Sequence, residues 1–155
     1  MKTRPAVVFA GGVLVLLSLC ACDNNAFTSP LALRADGDLV VVAMCGPTVE
    51  IERIYLESRN QDLGVAWFRF WDAKGTASLE TGEIVSLRDG VQGLSVELTD
   101  SPILEPGTDI AITMVSVERD MSLSSDFVVG PDGLSEDSWL RVDGSVSALP
   151  CDGIQ

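Results

Sequence analysis

The residues best suited to bind a ligand lie in one predicted β-strand, from Gly64 to Trp71. Because successive side chains of a strand point to opposite faces, Trp67, Arg69 and Trp71 are predicted to share one face. Two indole rings flanking a guanidinium group offer a surface on which a sugar or a peptide can stack. The alternative is that both Trp side chains pack beneath a loop or a neighbouring strand, while Arg69 extends into solvent.

Catalytic and metal chemistry find little support. The chain has no histidine, which removes the commonest general base and metal ligand. Acids surround a Gly-containing loop, but their spacing fits no calcium-binding motif, so we expect solvated turn residues at Asp126, Asp132, Glu136 and Asp137. No catalytic residue, metal or cofactor is predicted. A hydrolase built on two carboxylates stays open as an alternative, because Asp and Glu are plentiful.

The N-terminus has the layout of an export signal. Met1–Arg4 carries positive charge, and an apolar run follows from Ala6 to Leu19 before small and cysteine residues. This run is shorter than the roughly 20 residues that a membrane-spanning helix needs, and Gly11–Gly12 interrupts it. A cleaved signal is therefore favoured over a transmembrane anchor.

The end of that signal, Leu19-Cys20-Ala21-Cys22, resembles the lipobox of bacterial lipoproteins. The resemblance implies cleavage by signal peptidase II before Cys22 and attachment of diacylglycerol to the Cys22 thiol. Cys20 departs from the usual Ala, Ser or Thr, but modification of Cys20 would place Leu19 where a small residue is expected. Two acyl chains hold a protein firmly on a membrane, so the resemblance implies an extracytoplasmic, membrane-anchored protein. The alternative is an ordinary secretory signal that leaves Cys22 as a plain thiol.

The resemblance also bears on the remaining cysteines. If Cys20 leaves with the signal and Cys22 is lipidated, Cys45 and Cys151 remain. In an oxidising compartment this pair is predicted to form a disulfide. The disulfide would close a loop of roughly 100 residues, for which loop-closure entropy gives about 4–5 kcal/mol. No Cys-x-x-Cys spacing is present, so a structural role is favoured over a redox role.

The predicted organisation is a signal peptide at 1–21, a lipidated Cys and polar tether at 22–30, and a single domain at 31–155. The whole chain has 10 basic and 23 acidic side chains; loss of Lys2 and Arg4 leaves 8 basic residues and a formal charge of −15. Phosphate contacts need Lys and Arg, so nucleic acid is not an expected partner. Solubility is the simplest role for such charge, with a cationic partner or Ca²⁺ as the alternative.

Local patterns predict strands and the turns between them. Asp36-Gly37-Asp38 separates two apolar runs and predicts a β-hairpin. The alternation within Thr48–Glu57 slips by one position, which predicts a β-bulge near Glu52-Arg53, with a helix as the alternative. Asp72-Ala73-Lys74-Gly75 is predicted to be a turn.

Repeated short strands with Gly, Pro and Asp between them indicate an all-β fold. We expect an immunoglobulin-like two-sheet β-sandwich of about eight or nine short strands, with a peripheral disulfide. The exported Cys, the early strand ending in Cys45, and the terminal Leu149-Pro150-Cys151-Asp152-Gly153 together resemble small lipoproteins of actinobacteria. That resemblance implies no activity.

The expected function is a lipid-anchored envelope protein that acts as a binding, interaction or structural module and not as an enzyme. Its expected partners are the membrane, through the lipid, and an envelope protein or glycan. The alternative is a carbohydrate-binding or small-ligand-binding lipoprotein that uses Trp67 and Trp71.

Overall fold

Two antiparallel sheets of five strands each form a β-sandwich in the computed structural model, which describes residues 31–118 and 122–151. Sheet A has the strand order β10-β9-β1-β2-β5, and sheet B has the order β6-β4-β3-β7-β8. The predicted two-sheet sandwich is confirmed, with ten strands instead of eight or nine. The strands are β1 (Leu31–Asp36), β2 (Leu39–Met44), β3 (Val49–Asn60), β4 (Val65–Leu79), β5 (Ile84–Ser86), β6 (Leu94–Thr99), β7 (Asp109–Ser116), β8 (Ser122–Val128), β9 (Trp139–Arg141) and β10 (Val146–Ser147).

The first hairpin forms where the sequence predicts it. Asp36 pairs with Leu39 across a tight turn, and Gly37 adopts the positive φ of 62° that such turns favour. Strand β2 is apolar on both faces and is buried along its whole length, between β1 and β5. One face of β2 packs into the core between the sheets, and the other belongs to a second apolar cluster that includes Trp139 of β9.

The central hairpin of sheet B combines β3 with β4. The pairing of β3 with β7 shifts by one residue between Ile51 and Arg53, which confirms the predicted bulge near Glu52. The predicted turn at Asp72–Gly75 was wrong, because β4 runs through it to Leu79. Gly75 is needed where the backbone passes close to Gly93, since a Cβ on Gly75 would overlap the Gly93 carbonyl oxygen.

A second apolar cluster covers the outer face of sheet A. Its buried members include the small side chains of Ala32 and Ala43 together with Trp139. The predicted disulfide is present: Cys45 and Cys151 are joined, with their Cα atoms 5.1 Å apart, and both belong to this cluster. The disulfide therefore ties the C-terminal segment to the end of β2 and helps to seal this face.

The predicted signal peptide and Cys22 lie outside the described residues. Among residues 31–118 and 122–151, no helix is long and apolar enough to cross a membrane.

Candidate functional site

Strand β4, which carries the predicted aromatic face, contains a bulge beside Phe70. Leu56 of β3 pairs with Trp71, whereas the next residue, Glu57, pairs with Arg69. Phe70 is therefore an extra residue on β4. An extra residue breaks the alternation of side chains between the two faces.

The bulge moves Trp71 from the outer face into the core. Trp71 is 0% exposed, and its Nε1 donates a hydrogen bond of 3.2 Å to the Leu87 carbonyl oxygen. Trp67, in contrast, stays 42% exposed on the outer side of sheet B. The prediction that Trp67, Arg69 and Trp71 share a face was thus wrong for Trp71, because it assumed unbroken alternation.

What the outer face of sheet B presents is a set of aromatic and arginine side chains from β3 and β4, which we call the arginine–aromatic surface. Three carboxylates hold its arginines in place: Glu57, Asp72 and Asp109. Its other members are Arg53, Tyr55, Arg59, Trp67 and Arg69.

One half of the surface is a closed network around Tyr55. The Arg69 guanidinium carbon lies 3.8 Å from the centre of the Tyr55 ring, and that of Arg53 lies 5.2 Å from it. Asp72 accepts bonds from Arg53 Nε at 2.9 Å and Nη2 at 2.5 Å, and from Arg69 Nη1 at 3.2 Å. Arg69 also donates to Glu57 at 2.9 Å. Planar side chains that are already stacked and held by two hydrogen bonds lose little conformational entropy when a ligand binds.

The other half of the surface centres on Trp67. The Arg59 guanidinium carbon lies 4.7 Å from the centre of an indole ring of Trp67. Arg59 Nε donates to Asp109 Oδ2 of the neighbouring strand β7 at 2.7 Å, which fixes the guanidinium group. The indole is therefore held by a cation–π contact while much of its surface remains open to a ligand.

Asp72 is the most buried charge of the surface, with its side chain 9% exposed. The hydrogen bonds from Arg53 lower the pKa of this carboxyl group; burial opposes that shift, and the bond from Arg69 adds to it. A carboxyl group with a lowered pKa stays ionised at neutral pH. It suits an anchor for arginines and not a general acid, which needs a raised pKa.

We expect Asp72→Asn to destabilise the domain by about 1–2 kcal/mol at pH 7. The variant loses the negative charge that binds Arg53 and Arg69, but the loss is moderate because both arginines are partly exposed to water. Since the folded-state pKa of Asp72 is lowered, its ionic contribution is complete above the unfolded pKa of about 4 and disappears as pH falls through the folded value. Urea unfolding at pH 7 and pH 3 should show the gap between wild type and variant narrowing in acid. An equal gap at both pH values would contradict the role of the Asp72 charge.

Sequence reasoning missed the contribution of β3 to the surface. Arg53, Tyr55, Glu57 and Arg59 alternate with period two once the bulge at Glu52 is passed, so they share the outer face. That period was a usable signal. It indicates a face, however, and not the pairing with β4 that brings Arg59 to Trp67.

The four acids considered for calcium lie in β8 and in the connection to β9. Within residues 31–118 and 122–151, no three His, Cys, Asp or Glu side chains converge in a way that could hold a metal ion. Glu136 instead accepts a hydrogen bond from the Gly37 backbone at 3.0 Å, which supports the first hairpin.

No protein-family model, no curated protein and no solved structure matches this chain.

Proposed function

We propose that this chain is a lipid-anchored, extracytoplasmic binding domain of the cell envelope, and that its binding site is the arginine–aromatic surface. The observation that carries the proposal is the exposed indole of Trp67, held in place by Arg59 and Asp109. An exposed aromatic side chain that is already ordered supplies contact area at low entropic cost, which is a property of binding sites.

The anchor is supported by the sequence Leu19-Cys20-Ala21-Cys22. Strand β1 begins at Leu31, so eight residues, 23–30, separate Cys22 from the sandwich. Eight extended residues reach about 25–30 Å, and the domain would therefore act close to the bilayer. A partner would belong to the envelope or reach it from outside.

Mass spectrometry of the membrane-extracted protein tests the anchor. We expect a mature N-terminal peptide that starts at a diacylated Cys22, and we expect Cys22→Ser to release the protein from the membrane fraction. An unmodified N-terminus downstream of Cys22 would refute the anchor while leaving the binding proposal standing.

The first candidate for the ligand is an envelope protein, and carbohydrate is the second. The CH groups of a sugar ring pack on an indole, and its hydroxyl groups bond to planar polar side chains. Trp67 offers the indole, and Arg59 and Asp109 lie beside it. The nearby Tyr55 is enclosed by two arginines, so Trp67 alone would supply the stacking face.

Titration with a panel of envelope glycans, followed by intrinsic fluorescence, tests this surface. We expect Trp67→Ala to weaken binding at least about tenfold, the size of a moderate interface hot spot. Ile84→Ala is the matched control, because Ile84 is 53% exposed but lies in β5 of sheet A. If no glycan changes the fluorescence, the carbohydrate candidate is rejected. In-cell photocrosslinking from position 67 then tests for a protein partner, and no crosslink there would reject the surface as a binding site.

A further inference from the structure

Among the strands that the structure describes, four are sheet edges, and three of these are protected against pairing with another strand. Strands β10 and β5 are edges of only two and three residues. Strand β6 carries an extra residue, Glu97, where its pairing with β4 shifts between Asp72 and Ala73. Short strands and bulges are the usual means by which proteins prevent an edge from pairing.

The fourth edge, β8, has none of these features. Its seven residues, Ser122–Val128, pair with β7 without a register shift and contain no proline or lysine. Among the described residues, no strand pairs with its outer side. A regular edge of this length is a template for an added strand.

The hydrogen-bonding groups of that edge can be assigned from its last bonds. Val129 donates its backbone N–H to the Thr108 carbonyl oxygen at 2.8 Å, so the backbone groups of Val129 face the β7 side. Because these groups alternate along a strand, those of Ser124, Asp126 and Val128 face outward. Several N–H and C=O groups in a row are thus directed to the open side.

The edge and the connection that follows it are uniformly acidic. Residues 122–138 contain four acids and no Lys or Arg. Asp126 and Asp132 are exposed. This charge favours a basic partner and opposes the approach of a second copy of this strongly acidic chain.

A groove with apolar and polar lining adjoins the C-terminal end of β8, between β8 and the β9–β10 hairpin. It has a volume of about 370 Å³, and its lining includes Leu134, Leu140 and Val146 together with polar side chains such as Asp132. Val146 is 66% exposed. An added strand alternates its side chains, so one set could enter this groove while the other set lies beside Asp126 on the outer face.

We propose that β8 binds an extended, basic segment of a partner protein by β-strand addition. The segment extends sheet B to six strands, with basic side chains on the outer face near Asp126 and apolar side chains on the groove side. This inference rests on neither the lipid anchor nor the arginine–aromatic surface, because β8 contributes no residue to that surface.

A synthetic peptide of alternating Lys and Val is the probe, titrated into the full mature chain and followed by NMR. We expect the amide shifts to change along residues 122–128 and the affinity to fall with added salt. Ser124→Pro removes an outward N–H and should weaken binding at least tenfold. If this variant does not fold, peptides N-methylated on one or the other alternate set of amides replace it: one set should abolish binding and the other should leave it intact.

The charge requirement has its own matched pair of variants. Asp126→Lys should weaken binding several-fold, whereas Asp89→Lys, which changes the net charge equally in the connection between β5 and β6, should have little effect. Several results would overturn the proposal. They are no binding, binding unaffected by N-methylation, and shifts confined to the Trp67 region. Concentration-dependent pairing of β8 with itself would also overturn it, because a second copy would then be the occupant.

Discussion

Replacing Trp71 with alanine is expected to lower the free energy of unfolding by about 3–5 kcal/mol, the usual cost of removing a large buried aromatic side chain. Trp71 is completely buried in the core between the sheets, and its indole N–H bonds to the Leu87 carbonyl oxygen. Truncation leaves both a cavity and an unpaired buried acceptor. Single domains have only about 5–15 kcal/mol of stability, so this loss is a large part of the total.

Trp67→Ala is the matched control, since it makes the same chemical change on the same strand. Trp67 is 42% exposed and has a cation–π contact with Arg59, so we expect a much smaller loss of about 0.5–2 kcal/mol. Urea denaturation followed by far-UV circular dichroism measures both changes without depending on Trp emission. Equal losses for the two variants would contradict the bulge at Phe70, which is what separates the two side chains. Trp71→Phe serves if the alanine variant does not fold, and it should fall between the two.

The features predicted well from the sequence depend on short-range signals. The Asp36-Gly37-Asp38 turn needs a residue at positive φ, and Gly37 supplies it between two apolar runs. The slip in the pattern of Thr48–Glu57 marks the bulge at Glu52 directly, because the apolar positions change parity there. In both cases the local sequence pattern and the tertiary packing favour the same backbone conformation.

The Phe70 bulge has no such signal. The run from Ala66 to Phe70 alternates without fault, and the break is visible only in the pairing of β4 with β3. Gly75 misled for a similar reason: its role is set by Gly93, eighteen positions along the chain, and not by its neighbours. Both wrong predictions, the face of Trp71 and the turn at Asp72–Gly75, therefore depended on pairings between segments that are distant in the sequence.

The candidate site was found only in part for the same physical reason. Trp67 and Arg69 belong to one strand and were predicted together. Arg59, which contacts Trp67, and Tyr55, which stacks with Arg69, come from the neighbouring strand β3. Asp109 comes from a third strand, β7. A sequence indicates which residues share a face of one strand, but the neighbours across a sheet follow from the register.

The two outer faces of the sandwich differ in a way that favours sheet B for binding. On sheet A, Trp139 and the disulfide cover Ala32 and Ala43, so that face is occupied by the chain itself. On sheet B, no comparable cover is seen among the described residues, and Trp67 stays exposed. A tryptophan side chain thus helps to cover the outer face of sheet A, at Trp139, whereas the tryptophan on the outer face of sheet B, Trp67, stays available to a ligand.

Removal of the Cys45–Cys151 disulfide is expected to cost about 4–5 kcal/mol, because the bond closes a loop with a sequence separation of 106. The change is Cys45→Ala with Cys151→Ala, made in a chain that also carries Cys20→Ala and Cys22→Ala so that no other thiol responds to reductant. Urea unfolding gives the loss of stability, and reduction of the matched Cys20→Ala, Cys22→Ala chain should produce the same loss.

A second measurement separates loss of the disulfide from general unfolding. The bond holds the C-terminal segment over sheet A, so its removal should expose Trp139, which is 6% exposed, to acrylamide quenching before Trp71 is affected. The segment also contacts β9 through a hydrogen bond of 3.2 Å from Arg141 to the Leu149 carbonyl oxygen. If stability falls by less than about 1 kcal/mol and Trp139 stays shielded, non-covalent contacts hold the segment. The disulfide would then restrict the unfolded chain less than the loop-closure model assumes.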